Sequence, residues 1–110
     1  MATRIIRFEK TVGTTETELG NLAPPSGIKW TIVELRTFSP GGGNHVIYRA
    51  YFDTELYHEI DSRITPAQHP RAHIVGIDVA QPHVYRITAQ ANAANVLAMM
   101  EVVLEESPLG

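Results

Sequence analysis

Turn-forming residues recur along this chain, and their spacing constrains the fold more than any other feature. Clusters of Pro, Gly, Asn and Asp lie about eight to fourteen residues apart, which is the spacing of an all-β sandwich or barrel. Such clusters interrupt strand ladders because Pro fixes φ and Gly adopts angles that other residues avoid. They are Pro24–Gly27, Pro40–Asn44, Asp53–Thr54, Thr65–Pro70, Gln81–Pro82 and Asn92–Asn95.

The segments between these clusters predict seven strands. They are rich in β-branched and aromatic residues, and several alternate apolar and polar positions. The third has apolar residues on both faces, which indicates a central strand or a bulge that shifts the inward face midway. The segments are Ile5–Val12, Thr15–Leu22, Ile28–Phe38, His45–Phe52, Leu56–Ile60, Arg71–Val79 and His83–Ala91.

The last segment, Val96–Glu106, fits a helix or a strand. Its apolar residues fall at helical spacing with Asn95 as a cap, but they also alternate as in a strand. The short link Asn92–Asn95 suits a hairpin and favours the strand. Eight strands is the jelly-roll number. We therefore predict a single all-β domain over residues 1–110, a jelly-roll-like two-sheet sandwich of about eight antiparallel strands.

Composition narrows the classes of function. The chain has 110 residues, 44% of them hydrophobic and 19% charged, as expected for one ordered domain with a core. The nine Lys and Arg residues are scattered and the net charge is −3, so we expect no nucleic-acid partner. Without cysteine there is no disulfide or thiolate site. No apolar run is long enough for a secretion signal or a membrane span, so we expect synthesis in the cytoplasm and no membrane association.

The histidines do not form a recognisable metal motif. A cupin-type site would need a His-x-His pair, but His45 is followed by Ile47. His69 and His73 are separated by Pro70, so they are not two ligands on one helix turn. We expect no metal and no other cofactor, and a small metal-dependent enzyme of cupin type is only a third hypothesis.

Other catalytic patterns are also missing from the sequence. Glu55, Glu59 and Asp61 fall on one face of a short predicted strand, which is typical of a solvated edge that resists aggregation. No serine has a Gly-x-Ser-x-Gly setting, and the glycine loop lacks the Lys-Ser or Lys-Thr pair of a phosphate cradle. We therefore predict no catalytic residue and no enzymatic activity.

The aromatic residues leave two alternatives open. Trp30, Tyr48, Tyr51, Tyr57 and Tyr85 could form a flat platform for sugar rings, as in carbohydrate-binding sandwiches. Aromatic residues are also enriched in cores and at subunit interfaces. A carbohydrate- or receptor-binding module is accordingly the alternative to the function favoured below.

The third and last strands have more apolar surface than one thin core requires. Exposed apolar faces normally mark protein–protein interfaces, so we expect a homo-oligomer or docking onto a larger surface. The residues predicted to supply this interface are Trp30, Val33, Leu35, Met99, Glu101 and Val103.

The order of these segments resembles a viral family. Pro25–Leu35 leads into a glycine loop and a tyrosine-rich hairpin, and Tyr85–Ala89 precedes a final apolar strand. Over roughly Thr14–Glu105 this resembles the small β-sandwich accessory proteins of tailed phages and related viruses, which decorate heads or form fibre and baseplate modules. The resemblance implies a virion structural protein of the capsid decoration or cement type. It would form trimers or other homo-oligomers on a larger capsid or tail surface, with no cofactor and no catalytic residue.

Overall fold

The chain folds into two four-stranded antiparallel sheets that face each other. The computed structural model describes residues 2–38, 40, 43–62 and 71–109. The first sheet has the strand order β1-β8-β3-β6 and the second has the order β2-β7-β4-β5. The strands are β1 (Ala2–Val12), β2 (Thr17–Leu22), β3 (Ile28–Thr37), β4 (Val46–Phe52), β5 (Glu55–Asp61), β6 (Arg71–Ala80), β7 (Tyr85–Ala91) and β8 (Val96–Pro108).

This strand order is that of a jelly roll, so the predicted all-β sandwich of eight antiparallel strands is confirmed. The last segment is strand β8 throughout, which settles the choice between helix and strand. The described residues include no helix long and apolar enough to cross a membrane. The predicted turn at 65–70, and positions 41 and 42 of the glycine loop, lie outside the described residues.

Two predicted hairpins differ in outcome. Asp53 and Thr54 form the two-residue loop between β4 and β5, as predicted, and Asp53 takes a positive φ of 57°. The link at Asn92–Asn95 is not a hairpin, because β7 pairs with β2 and β4 whereas β8 pairs with β1 and β3. That link carries the chain from one sheet to the other, and its tight turn includes Asn95 at φ 59°.

A bulge in β3 explains why that strand has apolar residues on both faces. Ile32 is opposite Leu104 of β8, whereas Glu34 is opposite Val103, so Val33 is an extra residue. An extra residue moves the following side chains to the other face. Trp30 and Ile32 therefore point inward before the bulge, and Leu35 points inward after it.

Tyr48 joins the two sheets across the core. Its side chain is fully buried and extends from β4 to the backbone of β8. The hydroxyl accepts a hydrogen bond from the Met99 N–H at 2.9 Å and donates to the Met99 carbonyl at 3.0 Å. Pairing of β3 with β8 reaches Thr37 and Met100, so the Tyr48 hydroxyl satisfies backbone groups just beyond the last paired residues.

Candidate functional site

The outer face of the first sheet presents apolar side chains to solvent. Along β8, buried residues alternate with outward-facing ones, because successive side chains of a strand point to opposite faces. Leu97 is 42% exposed, Met99 is half-buried, and Val103 is 8% exposed but lies outside the core cluster. Ile5 of β1 is opposite Val103 and is 56% exposed. We call this surface, formed by Ile5, Val33, Leu97, Met99, Glu101 and Val103, the outer patch.

Charged residues cross the outer patch as a row between its apolar positions. Glu101 of β8 is opposite Arg7 of β1 on one side and Arg36 of β3 on the other. The Arg36 guanidinium lies 3.2 Å from the Glu34 carboxylate and 3.9 Å from that of Glu101. The patch therefore combines apolar contact area with charges of both signs, a composition that can be complementary to itself or to another surface.

Four of the six residues predicted as an interface share this surface, and two do not. Val33, Met99, Glu101 and Val103 belong to the outer patch. Leu35 is fully buried in the core because the bulge turns it inward, so it offers no surface to a partner. Trp30 also points inward.

Trp30 lies near one end of the sandwich and packs against the core. Its indole N–H donates to the Glu106 carboxylate at 2.9 Å, and the Arg4 guanidinium lies 5.9 Å from the centroid of its ring. Arg4 also pairs with Glu106 at 3.1 Å. The hydrogen bond from Trp30, followed by that from Arg4, lowers the pKa of Glu106.

The outer face of the second sheet carries a polar network centred on Glu16, which precedes β2. One carboxylate oxygen of Glu16 accepts hydrogen bonds from the hydroxyls of Tyr51 and Thr88, both at 2.6 Å. These bonds, with that from Thr88 the larger effect, lower the pKa of Glu16 despite a small opposing effect of desolvation. The other oxygen lies 3.4 Å from Arg49. Glu16 thereby fastens the β1–β2 connection to β4 and β7.

Arg49 extends the network across the sheet. Its Nε donates to Glu59 at 2.8 Å, and an Nη donates to Gln90 at 2.9 Å. The Arg86 guanidinium lies 4.9 Å from the centroid of the Tyr51 ring, within the range of a cation–π contact. Most polar groups of the network bond to one another, although the buried Nε of Arg86 has no partner among the described residues, and such internal pairing is the character of a structural face. Sequence alternation in β4 places Arg49 and Tyr51 on one face. Glu16 lies in the connection between β1 and β2, outside any alternating strand, so no sequence pattern predicts its contact with them.

The aromatic residues do not form the predicted platform. Tyr48 and Tyr85 are fully buried, whereas Tyr51 belongs to the polar network. Tyr57, on β5, is 52% exposed and meets the ring of Phe52 edge-on at 6.0 Å. A smaller aromatic cluster therefore exists at the β4–β5 hairpin.

His83 completes this aromatic cluster. Its ring lies 5.0 Å from that of Phe52, and its Nδ1 lies 2.8 Å from the Asp53 carboxylate. Asp53 also accepts a hydrogen bond from the Val84 N–H, and this bond, more than the contact with His83, lowers the pKa of Asp53. The side chains of Phe52, Asp53, Tyr57 and His83 thus lie together at one corner of the second sheet.

The acidic residues of β5 do not share one face, contrary to the sequence prediction. Ala50 is opposite His58 and Tyr51 is opposite Leu56, so Tyr57 is an extra residue that shifts the alternation. Glu59 lies opposite Arg49 on the outer face, whereas Glu55 lies opposite Phe52 on the other. Among the described residues, no three His, Asp or Glu side chains are grouped as metal ligands, and no pocket is formed.

Comparisons with known proteins give no family for this chain. No protein-family model matches it, and no curated protein matches it in sequence. Among solved structures it is similar to part of dimeric latent PorU from Porphyromonas gingivalis, with 12% identity and a TM-score of 0.33. The similarity covers 97% of this chain and 10% of that chain, so this chain spans about a tenth of PorU. A likeness this small says nothing about function.

Proposed function

We propose that this protein is a structural subunit that assembles with copies of itself through the outer patch. The observation that carries the proposal is that Ile5, opposite Val103, and Leu97, near Met99, are exposed on a sheet whose other face is already buried in the core. Apolar side chains exposed on an outer face lower their free energy when a partner covers them.

In its specific form, the proposal is a capsid decoration or cement-type subunit of a tailed phage or related virus, located in the virion. The resemblance of strand order over Thr14–Glu105 supports this assignment. Jelly rolls also occur in viral capsid domains, although the fold is shared with lectins and enzymes. In such a role the subunit would stabilise a shell by protein–protein contact, with a larger capsid or tail surface as its second partner.

Light scattering coupled to size exclusion, over a range of protein concentrations, tests the assembly. We expect the wild-type chain to form a trimer or another oligomer, and Leu97→Asp or Met99→Asp to be monomeric. Leu56→Asp is the matched control, because Leu56 is 50% exposed but lies on the edge of the second sheet. A wild-type chain that stays monomeric at all concentrations, or patch variants that assemble like the control, would contradict the proposal.

The aromatic cluster at the β4–β5 hairpin favours a second candidate, a carbohydrate- or receptor-binding module. The exposed Tyr57 ring could stack on a sugar, with the Asp53 carboxylate close by as an acceptor. A glycan array tests this candidate with Tyr57→Ala, and Tyr51→Ala is the comparison from the polar network. A glycan signal lost only in Tyr57→Ala supports the candidate, and the absence of any glycan signal from the folded wild-type chain contradicts it.

A further inference from the structure

The two sheets have four edge strands in the described part of the chain, and three of them are interrupted by extra residues. Leu19 is extra in β2, relative to β7, and Tyr57 is extra in β5, relative to β4. In β6, Val75 and Gly76 together oppose the single residue Val33, and Gly76 takes a positive φ of 70°. Bulges of this kind twist an edge and disrupt pairing with another chain.

The fourth edge strand, β1, has no such interruption. It pairs with β8 over eleven consecutive residues, Ala2 to Val12, with no shift of register. It contains neither proline nor glycine. Its other side has no neighbouring strand among the described residues, so a row of backbone N–H and C=O groups is open there. A long regular edge is a template for adding a strand.

The charges of β1 restrict how it could pair with itself. In a symmetric antiparallel pair, opposed residues share one face, so even-numbered residues oppose even-numbered ones and odd oppose odd. With Phe8 on the two-fold axis, Arg7 of each copy is opposite Glu9 of the other. This register therefore forms two opposite-charge pairs on the outer face, while the two Phe8 rings meet on the inner face.

The neighbouring symmetric registers lack this complementarity. Moving the axis to residue 7 sets Arg7 against Arg7 of the second copy and Arg4 against Lys10. Moving the axis to residue 9 sets Glu9 against Glu9. Like charges directly opposite each other destabilise a strand pair, whereas opposite charges stabilise it. Charge therefore selects the register with Phe8 on the axis over the two adjacent ones.

We propose that β1 pairs with β1 of a second copy of this chain in that register, so that two first sheets form one continuous eight-stranded sheet. The inference rests on the proposed self-assembly and restricts it to a dimer or a larger assembly with an even number of chains, because a two-fold contact joins copies in pairs; a trimer in solution would overturn the pairing. Arg7 and Glu9 are half-exposed and form an ion pair at 3.7 Å within one chain. Because an exposed ion pair of this kind contributes little to stability, exchanging it for two pairs across the new strand pair costs little. The two outer patches then lie side by side on one surface.

Charge reversal tests the pairing in the full-length chain. Arg7→Glu and Glu9→Arg should each weaken the dimer about fivefold or more, because two cross-strand pairs each lose an attraction and gain a repulsion, and each of these four changes alters the equilibrium constant by a factor of about 1.5 to 5. The double variant Arg7→Glu with Glu9→Arg should restore wild-type association. Lys29→Glu is the control for Arg7→Glu, since it makes the same change in net charge on β3 of the same sheet and should leave the dimer intact.

Disulfide formation tests the register independently, because the native chain has no cysteine. Directly opposite Cα atoms lie about 4.5 to 5.5 Å apart, within reach of a disulfide, whereas diagonal neighbours are farther apart. A mixture of the Arg7→Cys and Glu9→Cys chains should therefore cross-link mainly between unlike chains. Each variant alone should cross-link poorly.

Arg7 also lies in the charged row of the outer patch and contacts Met99, so the double variant and the cysteine pairs are needed to separate this inference from the proposed function. Assembly that is lost in Leu97→Asp but unaffected by Arg7→Glu overturns the β1 pairing and leaves the outer patch as the interface. Assembly that is lost in Arg7→Glu, restored in the double variant and unaffected by Leu97→Asp overturns the outer patch as the interface and leaves the β1 pairing. Cross-linking with no preference for unlike chains also overturns the register, and a wild-type chain that never associates overturns both proposals.

Discussion

Two buried tyrosines allow a direct test of how this core is held together. Tyr48 and Tyr85 are both fully buried, yet only the Tyr48 hydroxyl is hydrogen-bonded within the described residues; that of Tyr85 has no partner there. Tyr48→Phe removes the group that bonds the Met99 N–H and carbonyl. Leaving a buried backbone group without a partner costs about 1 to 3 kcal/mol. For a domain of this size, that corresponds to a fall in Tm of about 4 to 12 °C.

Tyr85→Phe should behave differently although it removes the same atom. Its hydroxyl is already desolvated without a partner, so we expect the free energy of unfolding to be unchanged or raised by up to about 1 kcal/mol. Urea unfolding monitored by circular dichroism, fitted with one m-value for the wild type and both variants, measures the two changes in the free energy of unfolding. If Tyr85→Phe lowers stability as much as Tyr48→Phe, the reasoning from hydroxyl pairing is refuted, and the loss of side-chain volume alone accounts for the lower stability of both variants.

Alkaline pH offers a second measurement on the same pair. Burial raises the pKa of both Tyr48 and Tyr85 in the folded state, with the hydrogen bond to Met99 opposing this for Tyr48. The unfolded chain therefore ionises these tyrosines first, from about pH 10. Their contribution to stability is complete below that pH and is lost as the pH rises through the folded-state pKa. In Tyr85→Phe, stability should fall less steeply above pH 10 than in the wild type.

Two further substitutions test packing and the polar network. Gly20→Ala should lower the free energy of unfolding by about 1 to 3 kcal/mol, because a Cβ at this position would overlap the Phe8 ring. Gly13→Ala is the control and should be neutral, since a Cβ there meets nothing within 4 Å. Equal melting temperatures for the two variants would contradict this prediction. Glu16→Gln should cost below about 1 kcal/mol at pH 7, since its side chain is 36% exposed. The hydrogen bond from Thr88 is the main cause that lowers the pKa of Glu16 in the folded state. The wild type should therefore be more stable than Glu16→Gln above about pH 4.5, and this difference should vanish as the pH falls through the folded-state pKa. A difference in stability that persists in acid would show that the charge of the carboxylate is not its source.

Much of the fold could be predicted because its signals are local. Pro, Gly, Asn and Asp set the turns, and the β-branched and aromatic runs between them became strands close to the predicted limits. The link at Asn92–Asn95 was misjudged because a short turn looks the same whether it joins neighbours in one sheet or carries the chain to the other. That choice depends on which strands β7 and β8 pair with, and such pairing is not local.

The candidate site could be predicted only where strands are regular. Alternation along β8 placed Met99, Glu101 and Val103 on one face, because no extra residue interrupts its pairing with β1. In β3 the same reasoning failed for Leu35, since the bulge at Val33 turns it into the core. A bulge is a relation between two paired strands, so its position cannot be read from one of them.

Three of the four edge strands in the described part of the chain contain a bulge, and β1 does not. A chain that avoided all association would be expected to protect every edge, and β2, β5 and β6 are each interrupted. Strand β1 is regular, and it lies beside β8, whose outward residues include Leu97, Met99 and Val103. An edge without a bulge and an apolar face on the same side of one sheet are both explained by a single requirement, that this side of the molecule meets another chain.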